Sequence, residues 1–231
     1  MERLLKSAVG ILLISNFVIV WATPIAVMGI MYKYMMKSYL VSLYEALDGN
    51  ETLRNFAFTY VYSSKASVDY FAISILVLLN STVSFSLVLH WQISNGVLPA
   101  WLIFLYYLSW VGVGGRMMGG AYALAHHEGH KRNFYQKWLR ELVGNIFENW
   151  IGVLYGSAPG QFSVSHVFIH HKLNGGPGDT FYQWDLDRSS IPDFSIYVCR
   201  VFLHMIGYSS YVYLNALDNK KRADIILWGV S

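Results

Sequence analysis

The stretch that decides the fold runs from Tyr70 to Gly115: YFAISILVLLNSTVSFSLVLHWQISNGVLPAWLIFLYYLSWVGVGG. Between Asp69 and Arg116 it carries no Asp, Glu, Lys or Arg. One bilayer crossing takes about 20 apolar residues, so this run is long enough for two. Ser94-Asn95-Gly96 marks a turn between them, and Pro99 suits the first turn of the second helix. A second charge-free run, residues 7–32 between Lys6 and Lys33, is long enough for one more.

Composition supports the same class. Hydrophobic residues make up 55% of the 231-residue chain and charged residues only 13%, about half the share of a soluble globular protein. The spacing predicts membrane helices over 8–32 (with a kink at Pro24), 70–92, 97–116 and 194–216. An amphipathic stretch is expected near Tyr39 to Leu47, and a surface-lying segment with aromatic anchors such as Trp150 over 146–165. The fold expected is all-α: a polytopic membrane helical bundle, one domain over 1–231, with a histidine-rich helical region at 117–193 on the membrane face. The apolar run after Lys6 is too long for a signal-peptide core and reads as a retained anchor. The apolar segment that opens at Ile225 and stops at Ser231 reads as C-terminal truncation of a longer chain.

Charge and cysteine content exclude other classes. The net charge of +3 is spread among loops, which fits anionic headgroups and not nucleic acid. A single cysteine, Cys199, rules out an intrachain disulfide and a multi-thiolate metal site. With the histidine region in the cytosol, ten Lys and Arg residues lie on that side and five opposite, which obeys the positive-inside tendency; Lys220-Lys221-Arg222 runs against it.

Six of the eight histidines fall in two clusters, His126-His127-Glu128-Gly129-His130 and His166-Val167-Phe168-Ile169-His170-His171. On an α-helix His126 and His130 are i and i+4, on one face and about 6 Å apart at Cβ, so both can reach one metal. His127 points about 100° away and ranks below them. His166 and His170 repeat the spacing, and His171, at i+5, diverges around the helix. The candidate metal ligands are therefore His126, His130, His166, His170 and His171. Five ligands exceed the three of an open catalytic zinc site, and a two-metal centre fits them better. H-E-x-H is not the zinc-protease H-E-x-x-H, and imidazole alone suits iron, zinc, copper and nickel. Glu128, Glu148, Asp179, Asp185 and Asp187 are candidates to accept the second N–H of a ligating imidazole, with Asn145, Asn149 and Asn174 behind them. Arg200 reads as an arginine reaching for the headgroups, and His204 on the same face is open between a packed residue and a functional one.

The order Ala125-His126-His-Glu-Gly-His130-Lys-Arg, then Ser165-His166-x-x-x-His170-His171, then Gly176-Pro-Gly-Asp179 and Trp184-Asp185-x-Asp187, resembles the membrane fatty acid desaturase and hydroxylase superfamily over residues 70–216. The resemblance implies two irons held by the histidines at the cytosolic face, dioxygen as oxidant and a lipid acyl chain as substrate. It also implies an external electron donor such as cytochrome b5 or ferredoxin, since the chain has no haem-attachment, iron–sulfur or dinucleotide motif of its own. The expected activity is that of an oxidoreductase, foremost an acyl desaturase, with a lipid or carotenoid hydroxylase on the same scaffold as the near alternative. The family's third box, H-x-x-H-H, has no counterpart here; the only later histidine is His204. That departure supports a different reading, a non-catalytic membrane protein that keeps part of the scaffold, and by the resemblance this chain alone is expected to lack a complete metal site. The expected location is an integral membrane position in the endoplasmic reticulum, with a plastid membrane second.

Overall fold

The computed structural model describes residues 30, 37–111, 116–187 and 189–230. The described residues are helical and contain no strand, only one isolated antiparallel bridge between Tyr62 and Tyr135. The all-α expectation is met. The chain divides into two compact units, Val27–Tyr155 and a second containing Gly156–Ser231.

In the first unit, α1 (Lys37–Asp48) is the amphipathic stretch expected before the first central span. Asn50 accepts the Leu53 N–H at 3.1 Å and starts α2 (Glu51–Phe56), which runs into a π-helical turn, Ala57–Val61. A 3₁₀ turn, Lys65–Tyr70, leads without a break into α3 (Phe71–Asn95). Gly96, at φ +74°, takes the left-handed position that ends α3, where a side chain would be strained. Pro99 precedes α4 (Ala100–Val111), and α5 (Arg116–His130) follows. A Cβ at Gly120 would lie 2.6 Å from Ile73 Cγ1 and 2.8 Å from its Cδ1, so this glycine lets α5 approach α3 closely. After α5 the chain pairs with residues 61–63. Ser63 N–H donates to Phe134 O at 3.2 Å and Gln136 N–H to Val61 O at 2.8 Å, around a buried cluster of Tyr62, Phe134 and Tyr135. Then come α6 (Lys137–Val143) and a π-helical turn, Phe147–Ile151, whose Phe147 and Ile151 are buried.

The second unit starts from a ten-residue π-helix, Gln161–His170, continued by an α-helical turn, His171–Leu173. A loop leads to Ser190, which caps α7 (Ile191–Met205) with Pro192 in its first turn. Gly207, at φ +81°, separates α7 from α8 (Tyr208–Ala216), and α9 (Lys220–Val230) closes the unit. Its core is Val164, Ile169, Leu214, Ala223 and Ile226.

Of the four expected spans, one has spanning length among the described residues. Lys65–Asn95 is helical over 31 residues with a mean hydropathy of 2.1 in its most apolar window, and only 28% of that window is buried within the protein. The apolar α4 is shorter. The expected 97–116 helix starts at Ala100 and is followed to Val111, beyond which 112–115 lie outside the described residues. The 8–32 helix and its kink lie outside them too, save Ile30. The 194–216 segment is not one helix: the positive φ at Gly207 separates α7, which ends at Met205, from α8, which starts at Tyr208. A polytopic bundle is therefore not what the described residues establish; an all-helical chain with one helix of membrane-spanning length is.

Candidate functional site

The first histidine pair sits in the last turns of α5. As i and i+4 on a regular helix, His126 and His130 bring their Nε2 atoms to 2.9 Å. His127 turns away as expected and meets the Tyr70 hydroxyl, with its ring stacked on Phe134. Burial, helped by Lys131 and His130, holds the His127 imidazole below its ordinary pKa.

Glu128 does not support an imidazole. It is buried and accepts three hydrogen bonds: from Tyr135 OH at 2.5 Å, Phe147 N–H at 3.1 Å and Glu148 N–H at 2.7 Å. The carboxyl thus joins α5 to the start of the Phe147–Ile151 turn and fixes the helix end that carries His126 and His130. Burial pushes it up to about 7, against the pull of those donors. Glu148, also buried, accepts from Asn145 at 2.8 Å.

The second cluster differs from the sequence expectation in its pairing. On an α-helix, His171 would stand about 140° around from His166. Here the helix is π-helical, with i→i+5 hydrogen bonds, including His171 N–H to His166 O, and its wider turn of about 4.4 residues narrows that angle to roughly 50°. His171 Nε2 consequently lies 3.1 Å from His166 Nε2. His170 stacks beside His166, with ring centroids 5.2 Å apart, and its Nδ1 lies 2.7 Å from Asp179 Oδ2. Asp179 is the acid that takes the expected supporting role. Its side chain is buried and also accepts Gly175 N–H at 2.8 Å and Phe181 N–H at 2.9 Å. Burial raises its pKa, but these N–H groups and His170 outweigh that and hold the carboxyl below its usual range. An ionised Asp179 accepts a hydrogen bond from His170 Nδ1–H, the tautomer in which Nε2 keeps its lone pair for a ligand.

The remaining acids are used elsewhere. Asp185 forms a two-pronged ion pair with Arg200, at 2.7 and 2.8 Å, and Arg200 also donates to Tyr182 O. Arg200 therefore fastens the 182–185 loop to α7, where a reach for headgroups was expected. Asp187 accepts from Ser189, and Asn174, at φ 50°, follows the end of the His171–Leu173 turn. His204 is buried with its ring 5.1 Å from Phe181, and its Nδ1 has no partner among the described residues.

Comparison with known proteins returns no matching family model, no matching curated protein and no matching solved structure. What the site can do is argued from its own atoms. Two cis nitrogens on a metal with 90° angles and bonds of ~2.1 Å stand about 3.0 Å apart. The separations of 2.9 and 3.1 Å fit that bite, and they also fit an N–H···N hydrogen bond. Three features were not legible beforehand: the Tyr70–His127 contact, the Tyr135–Glu128 bond and the π-helix. The first two depend on residues brought in from 57 and 7 positions away. No residue between Gln161 and His170 announces a π-helix by type.

Proposed function

We propose that this chain is a metal-binding, lipid-modifying oxidoreductase of the membrane, foremost an acyl desaturase. The observation that carries the reading is the pair of cis-nitrogen bites, His126–His130 and His166–His171, each built on a helix end, with His170 oriented by a buried carboxylate. A carboxylate behind an imidazole is the usual support of a ligating histidine, and a π-helical turn is a recurrent feature of functional segments. The largely outward-facing apolar helix 65–95 supplies the membrane context. A soluble core helix of that hydropathy would be mostly covered.

In the one unit His126 and His130, and in the other His166, His170 and His171, would be metal ligands, the metal being iron by the resemblance to membrane desaturases. With dioxygen and two electrons from a cytochrome b5-like or ferredoxin-like donor, iron would supply the oxidising power that an unactivated acyl C–H bond requires. The chain's own residues do the rest. Asp179 keeps His170 in the Nδ1–H tautomer, and Glu128 holds the end of α5 in place. The apolar surface of α3 faces the phase in which an acyl substrate resides.

The test is metal content and lipid product measured side by side. The full chain, purified after growth with iron, retains metal, and the variants His126→Ala/His130→Ala and His166→Ala/His171→Ala lose it. New unsaturated or hydroxylated acyl chains in cells expressing the chain, abolished by His130→Ala, would mean that the histidines present suffice without the third box. Metal bound without any new lipid favours the non-catalytic scaffold, whose specific support is the missing third box. A protein that takes up no metal refutes the oxidoreductase and leaves the scaffold, which has no need of a filled site.

A further inference from the structure

The first unit carries a basic and aromatic surface that the metal reading does not use. Residues 131–136 lie against residues 58–63. Besides the backbone bonds already described, Gln136 Nε2 donates to Phe58 O at 3.1 Å and to Tyr62 O at 3.0 Å. Residue 65, where the membrane-length helix begins, follows directly. The two strips therefore meet at one end of that helix.

Together they expose Lys65, Lys131, Arg132 and Lys137. Arg140 is tied to Arg132 O and Asn133, and the one acid of the second strip, Glu141, stands 3.9 Å from Lys137. Large apolar side chains are exposed among these charges: Phe58 at 46%, Tyr60 at 52%, Trp138 at 54% and Leu142 at 74%. Trp138 and Leu142 are i and i+4, on one face of α6. In water such exposure on a small helix is unfavourable. Aromatic and aliphatic side chains mixed with Lys and Arg at the end of a spanning helix suit the headgroup layer, where rings and methylenes enter the acyl boundary and cations meet phosphates.

We propose that this surface, residues 58–65 with 131–142, binds anionic phospholipid headgroups at the membrane face where helix 65–95 enters. An acidic protein would satisfy the charges but leave Trp138 and Leu142 without an apolar counterpart; a bilayer interface serves both. The proposal does not depend on the histidines holding a metal.

The experiment uses the full chain in nanodiscs or neutral detergent, offered phosphatidylglycerol and phosphatidylcholine with identical acyl chains, with retained lipid counted by native mass spectrometry. The wild type prefers phosphatidylglycerol, and the preference shrinks at high salt. Lys137→Ser lowers it by up to about fivefold, the factor for one cation near an anionic surface. Lys131→Ser/Arg132→Ser/Lys137→Ser abolishes it. The charge-keeping Lys131→Arg/Lys137→Arg retains it, which separates loss of charge from loss of fold. Equal retention of the two lipids by the wild type overturns the proposal, as does a preference that survives the triple serine variant. Polyglutamate that displaces phosphatidylglycerol from the wild type overturns it in favour of an acidic protein partner.

Discussion

Glu128 offers the sharpest test of how the first histidine pair is held. Replacing it with alanine leaves three buried donors, the Tyr135 hydroxyl and the N–H groups of Phe147 and Glu148, without their acceptor. An unsatisfied buried donor costs about 1–3 kcal/mol, so three set a loss of about 3 kcal/mol at the low end. The upper end is not reached, because the variant is relieved of desolvating a carboxyl whose rise to about 7 records that cost. A loss of about 3 kcal/mol lowers Tm by roughly 6–12 °C in a domain of this size. Glu128→Gln keeps the shape and accepts some of the donors through its amide oxygen, but its NH₂ faces another donor; a loss of about 1–2 kcal/mol is expected. The assay is thermal unfolding of the full chain in detergent, followed by far-UV circular dichroism with a chelator present so that metal does not contribute. The expected order is wild type, then Gln, then Ala. An alanine variant that melts with the wild type, or a glutamine variant less stable than alanine, would refute the view that this carboxyl joins α5 to the Phe147–Ile151 turn.

Asp179→Asn removes the carboxylate that fixes the His170 tautomer, and metal retention should fall about 10–100-fold with helix content unchanged; competition with a chelator measures this, and unaltered retention excludes Asp179 from the role. Gly120→Ala drives a methyl into Ile73 and should cost about 1–3 kcal/mol, with Ile73→Ala in the same chain restoring part of the loss, a coupling that a double-mutant cycle detects. Gly207→Ala forces a side chain into a left-handed position and should cost about 1–2 kcal/mol, visible as a lower melting temperature; a neutral result would mean that α7 and α8 can join as one helix.

Sequence alone set the helical class, because long apolar runs with few breakers exceed the length of a strand and favour helix. It also determined the His126–His130 pair, since i and i+4 on a regular helix is a fixed geometry, and the sidelong position of His127 follows from the same arithmetic. Asp179 was visible as one acid among five. Only tertiary structure separated them, because Asp185 is taken by Arg200 and Glu128 by the Phe147–Ile151 turn. The 194–216 run shows the limit of hydropathy: apolar content does not register one glycine at positive φ, which cuts the run in two. The second histidine cluster shows the limit of spacing. Residue separation becomes direction only through the pitch of the helix, and no residue type over Gln161–His170 selects π over α hydrogen bonding. That choice, absent from the residue types, brought His171 and not His170 to within 3.1 Å of His166 and left His170 to Asp179.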